Sequence, residues 1–141
     1  MLRALALMAA LAASGWAQLP RGFYPWWDQP IVKNLHLSDA QSREIRTIVR
    51  EYRARLIEQR ASLEKAESEL QFLFDDDNID TKRANQAIED LANARLNLTR
   101  TFSQLALRLR VVLTPDQWRD LQKRREQIQE QRREFRQQQK K

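Results

Sequence analysis

The chain has 141 residues, with 25 Lys and Arg against 19 Asp and Glu, one His, two Gly and no Cys. That length suits one domain. The lack of Cys excludes a disulfide framework and a thiol nucleophile, and so few glycines leave no loop to cradle the phosphates of a nucleotide.

Met1–Arg3 carries one positive charge, Ala4–Ala13 is an apolar run, and small residues stand at Gly15 and Ala17. This is the layout of a secretory signal over residues 1–17, with cleavage expected after Ala17. The run is half the roughly twenty residues that a membrane-spanning helix needs. No Cys follows for lipid attachment. The expected product is one exported domain, residues 18–141, most simply periplasmic, without stable membrane insertion.

Phe23, Tyr24, Trp26 and Trp27 then form an aromatic cluster that either grips a partner or packs on the helices behind it. Asp28-Gln29-Pro30 predicts a short helix over about Pro30–Leu35. Leu37-Ser38-Asp39-Ala40-Gln41 follows. A Ser N-cap accepts a hydrogen bond from the backbone N–H three residues on, and a Gln there reaches back to the cap's own N–H. Asp39 favours the helix dipole, and Leu37 is placed as a hydrophobic staple. Apolar residues then recur in threes and fours from Ile45 to Leu73, with a lapse at Gln59. The pattern predicts one helix of about 36 residues, roughly 55 Å long.

Asp75, Asp76, Asp77 and Asp80 interrupt it, and Asp80 is placed to cap the next helix. There the stripe is Ala84, Ile88, Leu91, Leu98, Phe102, Leu105, Leu109 and Val112, with Leu96, Leu107 and Val111 on a second face. Leu113-Thr114-Pro115-Asp116-Gln117 then repeats the earlier motif, with Pro115 at the first helical position, where its missing N–H costs nothing. The last helix carries Trp118, Leu121, Ile128 and Phe135 at heptad-like spacing and is expected to fray from about residue 136 to 141. No strand pattern occurs. The expected fold is all-α: a long antiparallel hairpin flanked by a short N-terminal helix and a C-terminal helix. Two narrow stripes make a seam rather than a thick core. The leftover apolar residues, including Ile57, Phe72 and Phe74, therefore suggest a homodimer.

The doubled Leu-[Ser/Thr]-x-x-Gln, Leu37–Gln41 and Leu113–Gln117, resembles the LTxxQ repeat of the Spy/CpxP family of exported helical proteins. Trp26-Trp27-x-x-Pro30-x-Val32-x-x-Leu35-x-Leu37 also looks like a form common there. Ser38 stands where the family more often has Thr, and both hydroxyls cap well. The resemblance covers most of residues 18–141 and implies a thin, cradle-shaped antiparallel dimer. Its members include ATP-independent chaperones, envelope-stress regulators, and heavy-metal resistance or sensing proteins.

No catalytic group stands out, so an enzyme is not expected. His36 reads best as a polar residue at a bend. Metal sites for zinc or nickel favour several His and Cys, which this chain lacks. The acidic turn fails as an EF-hand, because counting from Asp76 puts Thr81 where Gly is needed and Ala87 where Glu is needed. No cofactor or metal is expected, and export argues against nucleic acid as the target of the basic excess. Binding of unfolded or misfolded envelope proteins fits better. Arg43, Arg46, Arg50, Arg53, Arg100, Arg108 and Arg110 are candidates to attract clients, and Leu96, Leu107 and Val111 to hold them. For any one arginine the plainer account is a solvated face with intrahelical pairs such as Glu51–Arg55. A regulator or heavy-metal sensor acting on a membrane sensor protein is the alternative.

Overall fold

The computed structural model describes residues 25–139. The expected signal, its cleavage point, Phe23, Tyr24 and the last two lysines lie outside these residues.

Two short 3-10 helices, Trp26–Asp28 and Pro30–Asn34, precede three α-helices: α1 (Asp39–Phe74), α2 (Thr81–Val112) and α3 (Pro115–Gln138). No strand occurs among the described residues. The expected short first helix is therefore the second of two 3-10 turns. Pro30 sits at its start, and the Leu35 N–H closes it on the Val32 carbonyl.

The three long helices begin where local chemistry places them. Ser38 and Thr114 have nearly the same backbone, φ −66° with ψ 160° and 159°. Ser38 Oγ accepts from Gln41 N at 3.1 Å while Ser38 N donates to Gln41 Oε1 at 2.9 Å. Thr114 and Gln117 make the same exchange at 3.2 and 3.0 Å. Asp80 Oδ1 accepts from Arg83 N and caps α2. The staple holds at the second motif alone, where Leu113 and Trp118 share the main apolar cluster. At the first motif Ser42 occupies the position equivalent to Trp118, so Leu37 packs on the common core instead.

α1 and α2 form the hairpin. At its open end Ile45, Ile48, Leu105, Leu109, Leu113 and Leu121 are buried together with Trp26, Ile31 and Leu35 of the 3-10 segment. The 3-10 segment thus covers the main stripe rather than the second face of α2. Nearer the turn the seam narrows to Leu63, Leu73, Ala84 and Ala87. Here the expected stripe needs correcting. Ala87, not Ile88, is buried, and Ile88 is 42% exposed. Two alanines one turn apart permit close helix approach, which pushes the bulkier Ile88 to the flank. Gln59 sits in the seam where the apolar pattern lapses, and its Oε1 is buried with no partner among the described residues. An unmet buried acceptor of this kind costs about 1–3 kcal/mol.

α3 is held by Leu121, its one buried residue, with Trp118 and Ile128 packed beside it. Phe135 is 60% exposed, because the short segment that covers Ile128 ends well before it. The helix runs to Gln138.

Candidate functional site

The candidate client-binding residues divide into three groups. Arg43, Arg46, Arg50 and Arg53 recur at steps of three and four, so they share one face of α1. All four are exposed, and none of their guanidinium groups makes an ion pair or hydrogen bond among the described residues. Ile57, 59% exposed, continues the same face. This is a run of unneutralised charge rather than a solvated salt-bridge lattice.

Arg108 and Arg110 have different fates. Arg108 Nη1 donates to Glu51 Oε2 at 2.5 Å, and its guanidinium lies 5.6 Å from the centre of the Tyr52 ring. The hydrogen bond to Glu51, then that to Tyr52, raises the Arg108 pKa above its already high ordinary value. Glu51 therefore pairs across the hairpin and not with Arg55, one turn along its own helix. Arg110 stacks over Trp118 with its guanidinium carbon 4.4 Å from the ring centre, tying the end of α2 to α3. Leu96, Arg100, Leu107 and Val111 on α2 are exposed, the three apolar ones by half or more.

The aromatic pair Trp26–Trp27 belongs to the fold rather than to a free arm. Trp26 is 3% exposed. Trp27 meets it edge-on at 5.9 Å and lies 5.8 Å from Phe102 of α2.

What reading each motif by itself missed is that the two touch. Gln41 Nε2 donates to Gln117 Oε1 at 2.8 Å and to the Val112 carbonyl at 2.9 Å. Gln117 Nε2 returns the bond to Gln41 Oε1 at 3.1 Å and reaches the His36 carbonyl at 3.4 Å. Val112 precedes Leu113 as His36 precedes Leu37, so the two halves exchange equivalent bonds. A Glu would complete either capping box, but only Gln carries the second donor that crosses to the other motif. His36 itself adopts a left-handed backbone, φ 50°, which carries the chain from the 3-10 segment into α1.

A profile of the heavy-metal resistance family matches residues 3–120. The chain belongs to this family, one of the Spy/CpxP-like LTxxQ group. No curated protein and no solved structure matches the chain. The match takes in both motifs and the whole hairpin, and it ends in the second turn of α3. Proteins of the heavy-metal resistance family are typically exported. Among the described residues, no helix is long and apolar enough to cross a membrane.

The family's description makes the donor set worth testing. Among the described residues, no three His, Cys, Asp or Glu side chains come together in a way that could hold a metal ion. Residues 1–24 and 140–141 contain none of these four types, and the two Met are Met1 and Met8, inside the expected signal. A soft-metal site built on Cys or Met, and a borderline site built on several His, are thus both without ligands. His36 stands alone and exposed at a bend. The chain's residues do not fit a resident transition-metal ion.

Proposed function

We propose that this member of the heavy-metal resistance family acts in the periplasm as an ATP-independent holdase for unfolded or misfolded envelope proteins. One observation carries the reading: four exposed arginines on a single face of α1, none ion-paired among the described residues. Unpaired charge of one sign raises the encounter rate with acidic segments. Exposed Ile57 on that face, and Leu96, Leu107 and Val111 on α2, offer the short-range apolar contact that retains them. With no metal donor set, a role in metal resistance is exercised on proteins damaged by the metal rather than on the ion.

The test is light scattering of one acidic and one basic client across a salt series, without nucleotide. Suppression should be stronger for the acidic client. It should weaken as the Debye length contracts to about 8 Å at physiological ionic strength, and part of it should survive as apolar contact. No protection at any salt rejects the holdase and leaves a regulator that uses the same arginines to engage a membrane sensor protein. Zinc and nickel titrations of the same preparation should show no stoichiometric binding. Stoichiometric binding would restore the metal-sensor reading.

The working unit in this reading is a homodimer. Phe72 and Phe74 beside the hairpin turn are 66% and 54% exposed, and Val111 near the open end is 73% exposed, apolar surface that a second copy would cover. Sedimentation at micromolar concentration should give twice the chain mass; a fully helical monomer rejects it.

A further inference from the structure

Between the first 3-10 turn and the hairpin lies a groove of about 460 Å³. Its wall is apolar and aromatic: Trp27, Leu56, Phe102 and Leu105. Arg53 and Arg60 of α1 stand on one rim and Asp28 on the other. We propose that this groove binds a single small anionic amphiphile, one apolar chain or ring bearing one carboxylate-like head. This inference does not depend on the holdase reading.

The groove is pre-formed. Trp27 is fixed by its edge contact with buried Trp26 and its contact with Phe102, so the wall does not have to assemble on binding. Its volume falls within the roughly 300–1,000 Å³ usual for small-ligand sites. Phe102 and Leu105 form the buried floor, while Trp27 and Leu56 are half-buried and Ile57 beside them is 59% exposed, a standing cost that an apolar body relieves. The head group follows from charge. Arg53 has no ion-pair or hydrogen-bond partner among the described residues, although it stands beside an apolar surface. Arg50 and Arg46, on the same face of α1, add to the positive potential there. A guanidinium at such a rim can give a carboxylate two parallel charge-assisted hydrogen bonds. Asp28 opposes an anion and makes the head-group preference testable from both sides. A cationic head has two arginines against it and one acid for it.

Dodecanoate is the probe, titrated below its micelle concentration into the mature chain and followed by tryptophan fluorescence and by calorimetry. One site per chain is expected. Dodecanol, with the same tail and no charge, should bind about tenfold more weakly, and dodecyltrimethylammonium not measurably. Arg53→Gln should weaken dodecanoate about tenfold, as expected for loss of a charge-assisted hydrogen bond. Asp28→Asn should tighten it about twofold to threefold. Both residues are exposed, so circular dichroism should show unchanged helicity in each variant. Equal affinity for the cationic amphiphile, or an Arg53→Gln variant that binds like the parent, overturns the proposal. So does binding confined to vesicles of anionic phospholipid with none to dodecanoate, which would assign the arginines to a membrane surface.

Discussion

Gln117→Glu is expected to destabilise the protein by about 2 kcal/mol even though the substitution preserves a complete capping box. Glu at the third helical position still accepts from the Thr114 N–H, as Gln117 Oε1 does at 3.0 Å. It has no N–H₂ to give to Gln41 Oε1 or to the Leu35 and His36 carbonyls, the acceptors Gln117 Nε2 now reaches. It also aims a carboxylate at those oxygens. The expected loss is that of a partly buried group deprived of its partners, about 1–3 kcal/mol. Gln41→Glu should behave alike, because Gln41 Nε2 serves the Val112 carbonyl and Gln117 in the same way. Since the two amides contact each other, Gln41→Ala and Gln117→Ala should not add. A double-mutant cycle by urea denaturation should return a coupling of about 1 kcal/mol. A neutral Gln117→Glu with additive alanine variants would show that each motif is only a cap.

The second large effect is local. Leu121→Ala should release α3 from the hairpin while α1 and α2 remain paired. Leu121 is 0% exposed and is the one buried residue of a helix whose remaining side chains are half-buried or exposed. Truncating a buried Leu to Ala costs about 2–5 kcal/mol, more than the contacts of Trp118 and Ile128 are placed to replace. Hydrogen exchange should find the amides of Leu121–Gln138 unprotected in the variant, and those facing the α1–α2 seam nearly as slow as before. Phe135→Ala, at a 60% exposed site, is the control and should change nothing. Equal loss of protection in all three helices would make the fold one cooperative unit.

Much of the architecture was legible in the sequence because helix boundaries are short-range chemistry. Ser38, Asp80 and Thr114 cap the helices they were expected to cap. Spacing in threes and fours predicted the length of α1, and the helix spans 36 residues. Membership in a Spy/CpxP-like family was legible too, because its signature is the capping sequence itself, written twice. Spacing failed where packing distance decides the outcome. Ile88 and Ala87 both fit a helical period, and only the closeness of α1 selects the smaller one. The staple at Leu37 failed for want of an apolar partner at Ser42, a detail a five-residue motif does not contain.

For the candidate site, the sequence by itself determined the ligand inventory, one His, no Cys and no Met beyond the expected signal, and the arginines of α1 and α2 as candidates. Ligand inventory and helical period are properties of the chain alone. Only the tertiary structure decided which arginines remain available. Arg108 and Glu51 lie 57 positions apart, and Arg110 stacks on a tryptophan of the following helix. Nothing local distinguishes these two from Arg43 or Arg50. Folding the hairpin brings counter-charge and aromatic rings to two of them and leaves the others bare. It also brings Gln41 and Gln117 together across 76 positions, because the ends of two antiparallel helices meet where α1 begins and α2 stops.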